Sequence, residues 1–126
     1  MKKRHVAGIS LGAISSTGAS PEVDLSSMDS AIVYITAGSG SGNCVISLEA
    51  ASQDFGATAT WQRIGGSTRP VTASTSVAIP VGVQKPVPLS DAHITGSTFC
   101  PRRFRVKHVS GSTVSDSSVE GIRSIA

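Results

Sequence analysis

Aromatic and charged side chains are scarce in this sequence. Only 4% of the residues are Phe, Trp or Tyr, and only 15% are Asp, Glu, Lys or Arg. Ser and Thr together supply about a quarter of the chain, whereas Glu, Lys and Gln are few. A helical protein of this composition would consist largely of residues that compete with the helix backbone for hydrogen bonds or lose rotamer freedom in a helix. The composition therefore favours an all-β fold.

Cysteine and long apolar runs are also rare. The two cysteines, Cys44 and Cys100, are too few for a disulfide scaffold, and neither has a second Cys or a His at metal-ligand spacing. Two interpretations stay open, a pair of buried free thiols and a single bridge between them. No stretch approaches the roughly 18 apolar residues of a membrane-spanning helix, so we expect no membrane partner.

The N-terminal segment imitates a secretory signal, because the basic residues 2–5 are followed by apolar and then small residues. However, the apolar run is short and is interrupted by Gly8, Ser10 and Gly12. These interruptions are untypical of the apolar centre of a signal peptide. We therefore expect Val6 to Ile14 to form a strand, or an arm that docks on a partner.

The segment from Asn43 to Gly65 is typical of a hairpin at the centre of a sheet. In its first half, Cys44, Ile46 and Leu48 alternate with other residues, which predicts a strand with these three side chains in the core. The second half, from residue 58 to residue 64, contains the one Trp of the chain, Trp61, and we expect this ring to pack in the core. A continuous β-branched run over residues 31–37 predicts a strand that is covered on both faces.

Turn signals recur every eight to twelve residues and separate about seven to nine short strands. Segments that contain Pro80, Pro86 and Pro88 belong on sheet edges, because proline donates no ladder hydrogen bond. We predict a single antiparallel β-sandwich, immunoglobulin-like or jelly-roll-like, with an extended N-terminal arm. The arm or edge strand takes residues 1–28 and the sandwich takes residues 29–126.

No catalytic, metal or cofactor site is predicted. The chain has no G-x-S-x-G nucleophile elbow, and its single loop aspartates are better explained as turn caps than as calcium ligands. His5, His93 and His108 are scattered through an arm, a loop and a strand, which is more typical of surface histidines than of a metal or catalytic site. We therefore do not expect an enzyme.

Positive charge is concentrated in two short clusters, although the net charge of the chain is only +3. In the strand from Arg102 to Val109, apolar Phe104 and Val106 alternate with basic residues, so that one face is cationic. Such clusters suit an acidic partner, but a merely solvated surface is an equally good interpretation. Without interleaved exposed aromatics, we expect no direct base contact with nucleic acid, and contact with phosphates alone stays open. The predicted partner-binding residues are Lys2, Lys3, Arg4, His5, Arg103, Arg105 and Lys107.

Two segments of the chain together form an ordered pattern of strands and turns. A strand ending in a Leu-Glu-x-Ser type segment precedes turn residues, a Trp strand and a later Phe-Arg-Val strand. The positions that form this pattern are Leu48, Glu49, Ser52, Asp54, Gly56, Trp61, Phe104, Arg105 and Val106. In this pattern, roughly half of the chain resembles small β-sandwich virion proteins of tailed bacteriophages. Ala51 and Phe55 depart from that family's tight turn.

The resemblance implies a role in the virion. We expect a decoration or cement protein that binds the major capsid protein at capsomer junctions and stabilises the shell, acting as a homo-oligomer, most simply a trimer. One alternative is a component of the neck, tail or spike. A second alternative, from another class, is a secreted carbohydrate-binding sandwich that uses Trp61 and Tyr34 as stacking platforms.

Overall fold

A computed structural model of the chain describes residues 2–51, 60–65, 76–89 and 101–125. Within these ranges no helix is long and apolar enough to cross a membrane. Eight strands in the described part of the chain confirm the predicted all-β class. They are β1 Lys2–Ser10, β2 Ser30–Ala37, β3 Cys44–Ala51, β4 Trp61–Gly65, β5 Val77–Ile79, β6 Gln84–Pro88, β7 Phe104–Ser110 and β8 Val114–Ile125.

The strands form two antiparallel sheets that pack face to face. Sheet A has the strand order β1-β8-β2-β6. In sheet B, β3 is central and pairs with β7 on one side and with β4 and β5 on the other. The inner faces enclose one hydrophobic core with contributions from both sheets. This architecture confirms the predicted antiparallel β-sandwich.

Alternation along the strands places the core residues. Cys44, Ile46 and Leu48 are fully buried, as the pattern of β3 predicts. Cys44 is a free thiol rather than half of a bridge. The expectation for residues 31–37 is wrong, because only alternate residues of β2 are fully buried and the side chains between them are half-exposed. In this protein the β-branched run therefore forms an antiparallel strand of which only one face is fully buried.

The N-terminal segment is built into the fold of this chain. β1 pairs with β8 along its length, and Leu11, Ile14, Leu25 and Met28 are buried in the core. Residues 18–25 run along the free side of β7 and exchange backbone hydrogen bonds with it. Of the two alternatives that the sequence left open, a strand and an arm that docks on a partner, the structure has the strand, and the order of this segment needs no neighbouring molecule. The domain boundary at residue 28 stays a prediction.

The segments that contain proline were predicted to lie at sheet edges. Pro86 and Pro88 belong to β6, which is an edge strand of sheet A, and Pro80 directly follows β5. Some residues named in the sequence analysis lie outside the residues that the structure describes, namely Ser52, Asp54, Phe55 and Gly56 of the family pattern, and His93 and Cys100.

Candidate functional site: the cationic end of the sandwich

The two basic clusters of the sequence meet at one end of the sandwich. β1 begins and β8 ends here, and the start of β7 lies at the same end of sheet B. The connection between the sheets fixes this placement, because the Leu25 amide donates to the Pro101 carbonyl (3.0 Å) and the Asp29 amide donates to the Ile122 carbonyl (2.8 Å). We name this region the cationic end and define it by Lys2, Lys3, Arg4, His5, Arg102, Arg103, Arg105 and Arg123.

In sheet A the cationic end is a two-stranded ribbon. β2 pairs with β8 only as far as Ile122, whereas β1 pairs with β8 as far as Ile125, so β1 and β8 continue together beyond β2. Arg4 lies directly opposite Arg123, and both side chains are exposed. Within the described ranges, no acidic side chain forms an ion pair with either of them. Like charges directly opposite each other destabilise a strand pair. The side chains of Lys2 and Lys3 lie outside the described part.

His5 and Glu120 form the next feature along the ribbon. The Nε2 atom of His5 lies 3.3 Å from a carboxylate oxygen of Glu120. The hydroxyl of Tyr34 donates a hydrogen bond to the same carboxylate, and this bond raises the pKa of Tyr34 above its usual value. A shallow cavity of about 220 Å³ opens beside the pair, with Ile32 and Ile122 in its wall. These contacts place the Tyr34 ring on the outer face of sheet A.

Trp61 lies on the outer face of sheet B, and the expectation that it packs in the core is wrong. It is half-buried and pairs with Ala51, two positions along β3 from outward-facing Glu49. The guanidinium of Arg105 lies 4.3 Å from the centroid of its ring, and that of Arg103 lies 5.7 Å from it. Both distances are within the range of cation–π attraction. Trp61 therefore belongs to the cationic end rather than to the core.

Acidic residues of this chain hold the two arginines in place. The Nε atom of Arg105 donates to Glu49 (2.8 Å), whose side chain is largely buried. Arg103 donates through two nitrogens to the carboxylate of Glu22. This hydrogen-bonded pair lowers the pKa of Glu22 below its usual value and raises that of Arg103. The sequence alone did not reveal Glu22 as a partner, because it lies 81 positions away from Arg103.

Lys107 and His108 point to opposite faces of β7. The Lys107 ammonium, on the outer face, donates to the carbonyl of Thr17. His108 is only 1% exposed, so the expectation of a surface histidine is wrong. Its Nδ1 accepts the Thr17 amide (3.0 Å), which leaves Nε2–H to donate to the Ser112 carbonyl (2.8 Å). His108 is thus a structural residue that joins the N-terminal segment to the β7–β8 turn.

The residues proposed for a carbohydrate platform are separated by the core. Trp61 lies on the outer face of sheet B, whereas Tyr34 lies on the outer face of sheet A. One sugar chain therefore cannot stack on both rings at once. In the described part of the chain, no group of three or more His, Cys, Asp or Glu side chains could hold a metal ion.

Comparison with known proteins adds no relative. No protein family matches the sequence, and no curated protein or solved structure is significantly similar to it. The function of the chain must therefore be inferred from the geometry of the cationic end.

Proposed function

We propose that this chain is a non-enzymatic structural protein of a tailed-phage virion, of the decoration or cement type. The observation that carries the proposal is the meeting of two basic clusters, distant in the sequence, at one end of a compact sandwich. An end of this kind fits an acidic patch on a protein shell. The partner is the major capsid protein, and the site is a junction between capsomers.

The composition of the cationic end suits binding to a protein. Trp and Arg are enriched among the residues that contribute most to protein–protein affinity, and Trp61 lies against Arg103 and Arg105. Because Glu22 and Glu49 fix both guanidinium groups, less side-chain entropy is lost on binding. The same carboxylates neutralise part of the positive charge, so these arginines contribute more to orientation than to long-range attraction.

Symmetry would add to a modest single-site affinity. A capsid presents the same junction many times, and a homo-oligomer, most simply a trimer, engages several copies of its site together. Each chain then needs only a small interface. Decoration of the shell in this way raises the resistance of the particle to internal pressure.

Copy number in purified virions tests the proposal. Quantitative mass spectrometry of particles that contain this chain should find hundreds of copies per particle, as shell symmetry requires. About a dozen copies would instead indicate the neck, tail or spike, and detection only in the medium or the cell would refute a virion role. A second experiment adds the purified protein back to particles from which it has been stripped. Binding should saturate as protein is added, and it should weaken as the salt concentration rises.

Carbohydrate binding is a separate candidate, and it now rests on Trp61 alone. Glycan-array binding that is lost on Trp61→Ala, with folding intact, would support it. We do not favour this function, because the Trp61 ring already contacts two guanidinium groups.

A further inference from the structure

The edge of sheet A formed by β1 differs from the edges formed by β6 and β7, and it is longer than those formed by β4 and β5. β6, at the opposite edge, carries Pro86 and Pro88, and the free side of β7 in sheet B is covered by residues 18–25. β1 has no proline, and within the described ranges it pairs only with β8, with a bulge between Val6 and Ile9. Natural proteins generally protect long edge strands, because their unpaired N–H and C=O groups accept another strand, and charged side chains are one such protection. The basic residues of β1 oppose a strand of like charge but not an acidic one. Before the bulge, over residues 2–6, β1 thus offers a backbone template for the addition of an acidic strand.

Charge at this edge specifies what kind of strand would fit. Arg4 lies opposite Arg123, and no described acidic residue neutralises either of them. A strand added beyond β1 would lie about 4.7–4.9 Å from it. On the new strand, the residue opposite Arg4 would lie in line with Arg4 and Arg123 across the sheet. A Glu or Asp at that position would be next to Arg4 and near Arg123. Opposite charges on neighbouring strands are stabilising.

We propose that β1 is the docking edge for an extended acidic segment of the partner protein, which adds to sheet A as a fifth strand. Main-chain hydrogen bonds to β1 supply affinity, and carboxylates opposite Arg4 and the basic positions 2 and 3 set the register. This inference deepens the proposed function and rests on it, because it specifies how the shell protein attaches to the cationic end.

An acidic segment suits this edge better than two other occupants. A second copy of β1 could pair with the edge, but it would bring the same basic residues and no carboxylate. Nucleic acid would supply negative charge but has no peptide groups for the N–H and C=O groups of the edge. Both are retained as outcomes of the test.

A synthetic peptide provides a direct probe. The peptide has about nine residues, matching β1, and alternates Glu with Val and Thr. A control peptide has the same charge but carries prolines at two central positions, which prevents strand pairing. Fluorescence anisotropy should show binding of the first peptide and at least about tenfold weaker binding of the second. Hydrogen exchange should slow at alternate amides of residues 2–6, before the bulge of β1, since the intervening amides already face β8.

Variants of the protein locate the site. Arg4→Glu places a like charge opposite the acidic peptide and should weaken its binding by at least about tenfold. Lys85→Glu makes the same charge change on β6, the opposite edge of sheet A, and should weaken it less than about threefold.

Any of the following results of the peptide and variant experiments would overturn the strand-addition proposal. They are equal binding of the two peptides, equal effects of the two substitutions, no slowing of exchange in β1, and binding of a mixed-sequence DNA duplex as tight as that of the acidic peptide. Dimerisation of the protein alone with protection of β1 would assign the edge to a second copy and would also refute it.

The outcomes separate this inference from the proposed function. If Arg4→Glu binds stripped virions as well as the unmodified protein does, β1 is not the docking edge, although the virion role stands. If the peptide binds at β1 but the chain is absent from virions, the edge accepts an acidic strand of some other protein and the proposed function is wrong.

Discussion

At the scale of single residues, His108 shows how a polar side chain can belong to the core. Phe104, Val106 and His108 alternate along β7 and all point inward. The alternation along β7 therefore indicates that His108 faces inward, but a histidine in an otherwise basic segment suggests a surface position. What the sequence could not show are its partners, Thr17 and Ser112. Thr17 also has a left-handed backbone, with φ of 57°, which costs free energy unless the surroundings hold it.

We expect His108→Ala to lower the free energy of unfolding by about 3 kcal/mol, because it leaves a buried amide and a buried carbonyl without partners and opens a cavity. Urea denaturation monitored by circular dichroism measures this loss. His5→Ala is the matched control, since the His5 side chain is 63% exposed, and its effect should stay within about 0.5 kcal/mol. A loss below about 1 kcal/mol for His108→Ala would contradict the structural role assigned to this histidine.

Two carboxylates near the cationic end should make stability depend on acid pH. The hydrogen bonds from Arg103 to Glu22, and from Ser26 to Asp24, lower the pKa of these groups below their ordinary values of 4.5 and 3.8. A folded-state pKa that is lower than the unfolded one adds stability above the unfolded value, and this stability is lost as pH falls through the folded value.

The urea midpoint should therefore fall as the pH is lowered from about 5 toward 3. The double variant Glu22→Gln, Asp24→Asn should show a shallower fall over the same range. An identical pH profile for the variant and the unmodified protein would mean that these two pairs do not stabilise the fold.

At the scale of elements, period-two alternation predicted the strands, but it did not predict for every strand which face is buried. The core face of β3 follows directly from its sequence, and so do the edge position of β6 and the apolar face of β7. The side of β4 that faces inward did not follow, because a bulge in the pairing between Leu48 and Glu49 sets its register. Ile64 takes the buried position and Trp61 faces out. A one-residue shift of register exchanges the two faces of a strand.

The N-terminal segment was predicted as an arm or an edge strand, and the burial of two of its side chains in the core has a measurable consequence. Leu11 and Ile14 are 3% and 2% exposed. Leu11→Ala and Ile14→Ala should therefore each destabilise the protein by about 2–4 kcal/mol in urea denaturation. Val83→Ala, at an exposed position, is the control and should cost less than about 1 kcal/mol.

Removal of residues 2–20 should unfold the protein rather than merely abolish binding, since it takes away both β1 and these two core side chains. A truncated protein that keeps the unfolding midpoint of the full chain would show that the segment is a separable arm.

At the scale of the whole molecule, charge is distributed unevenly along the long axis of the sandwich. Among the described residues, the turns at the end opposite to the cationic end contain no charged residue, although the Lys107 ammonium reaches the Thr17 carbonyl in one of them; these turns are residues 12–18, 38–43, 80–83 and 111–113. The sequence shows both basic clusters but not their proximity, because that depends on the antiparallel pairing of β1 with β8 and on the crossing of residues 25–29 between the sheets. This polarity gives the molecule one end suited to an acidic surface and one end whose described turns have no charged residues of their own.

Cryo-electron microscopy of virions that carry this chain tests the central claim most directly, since it reports both the position and the orientation of the sandwich. We expect symmetric density at capsomer junctions, with the cationic end directed at the shell and the uncharged turns directed away from it. Density in which the uncharged turns contact the shell, or density confined to the neck or tail, would contradict the proposed role.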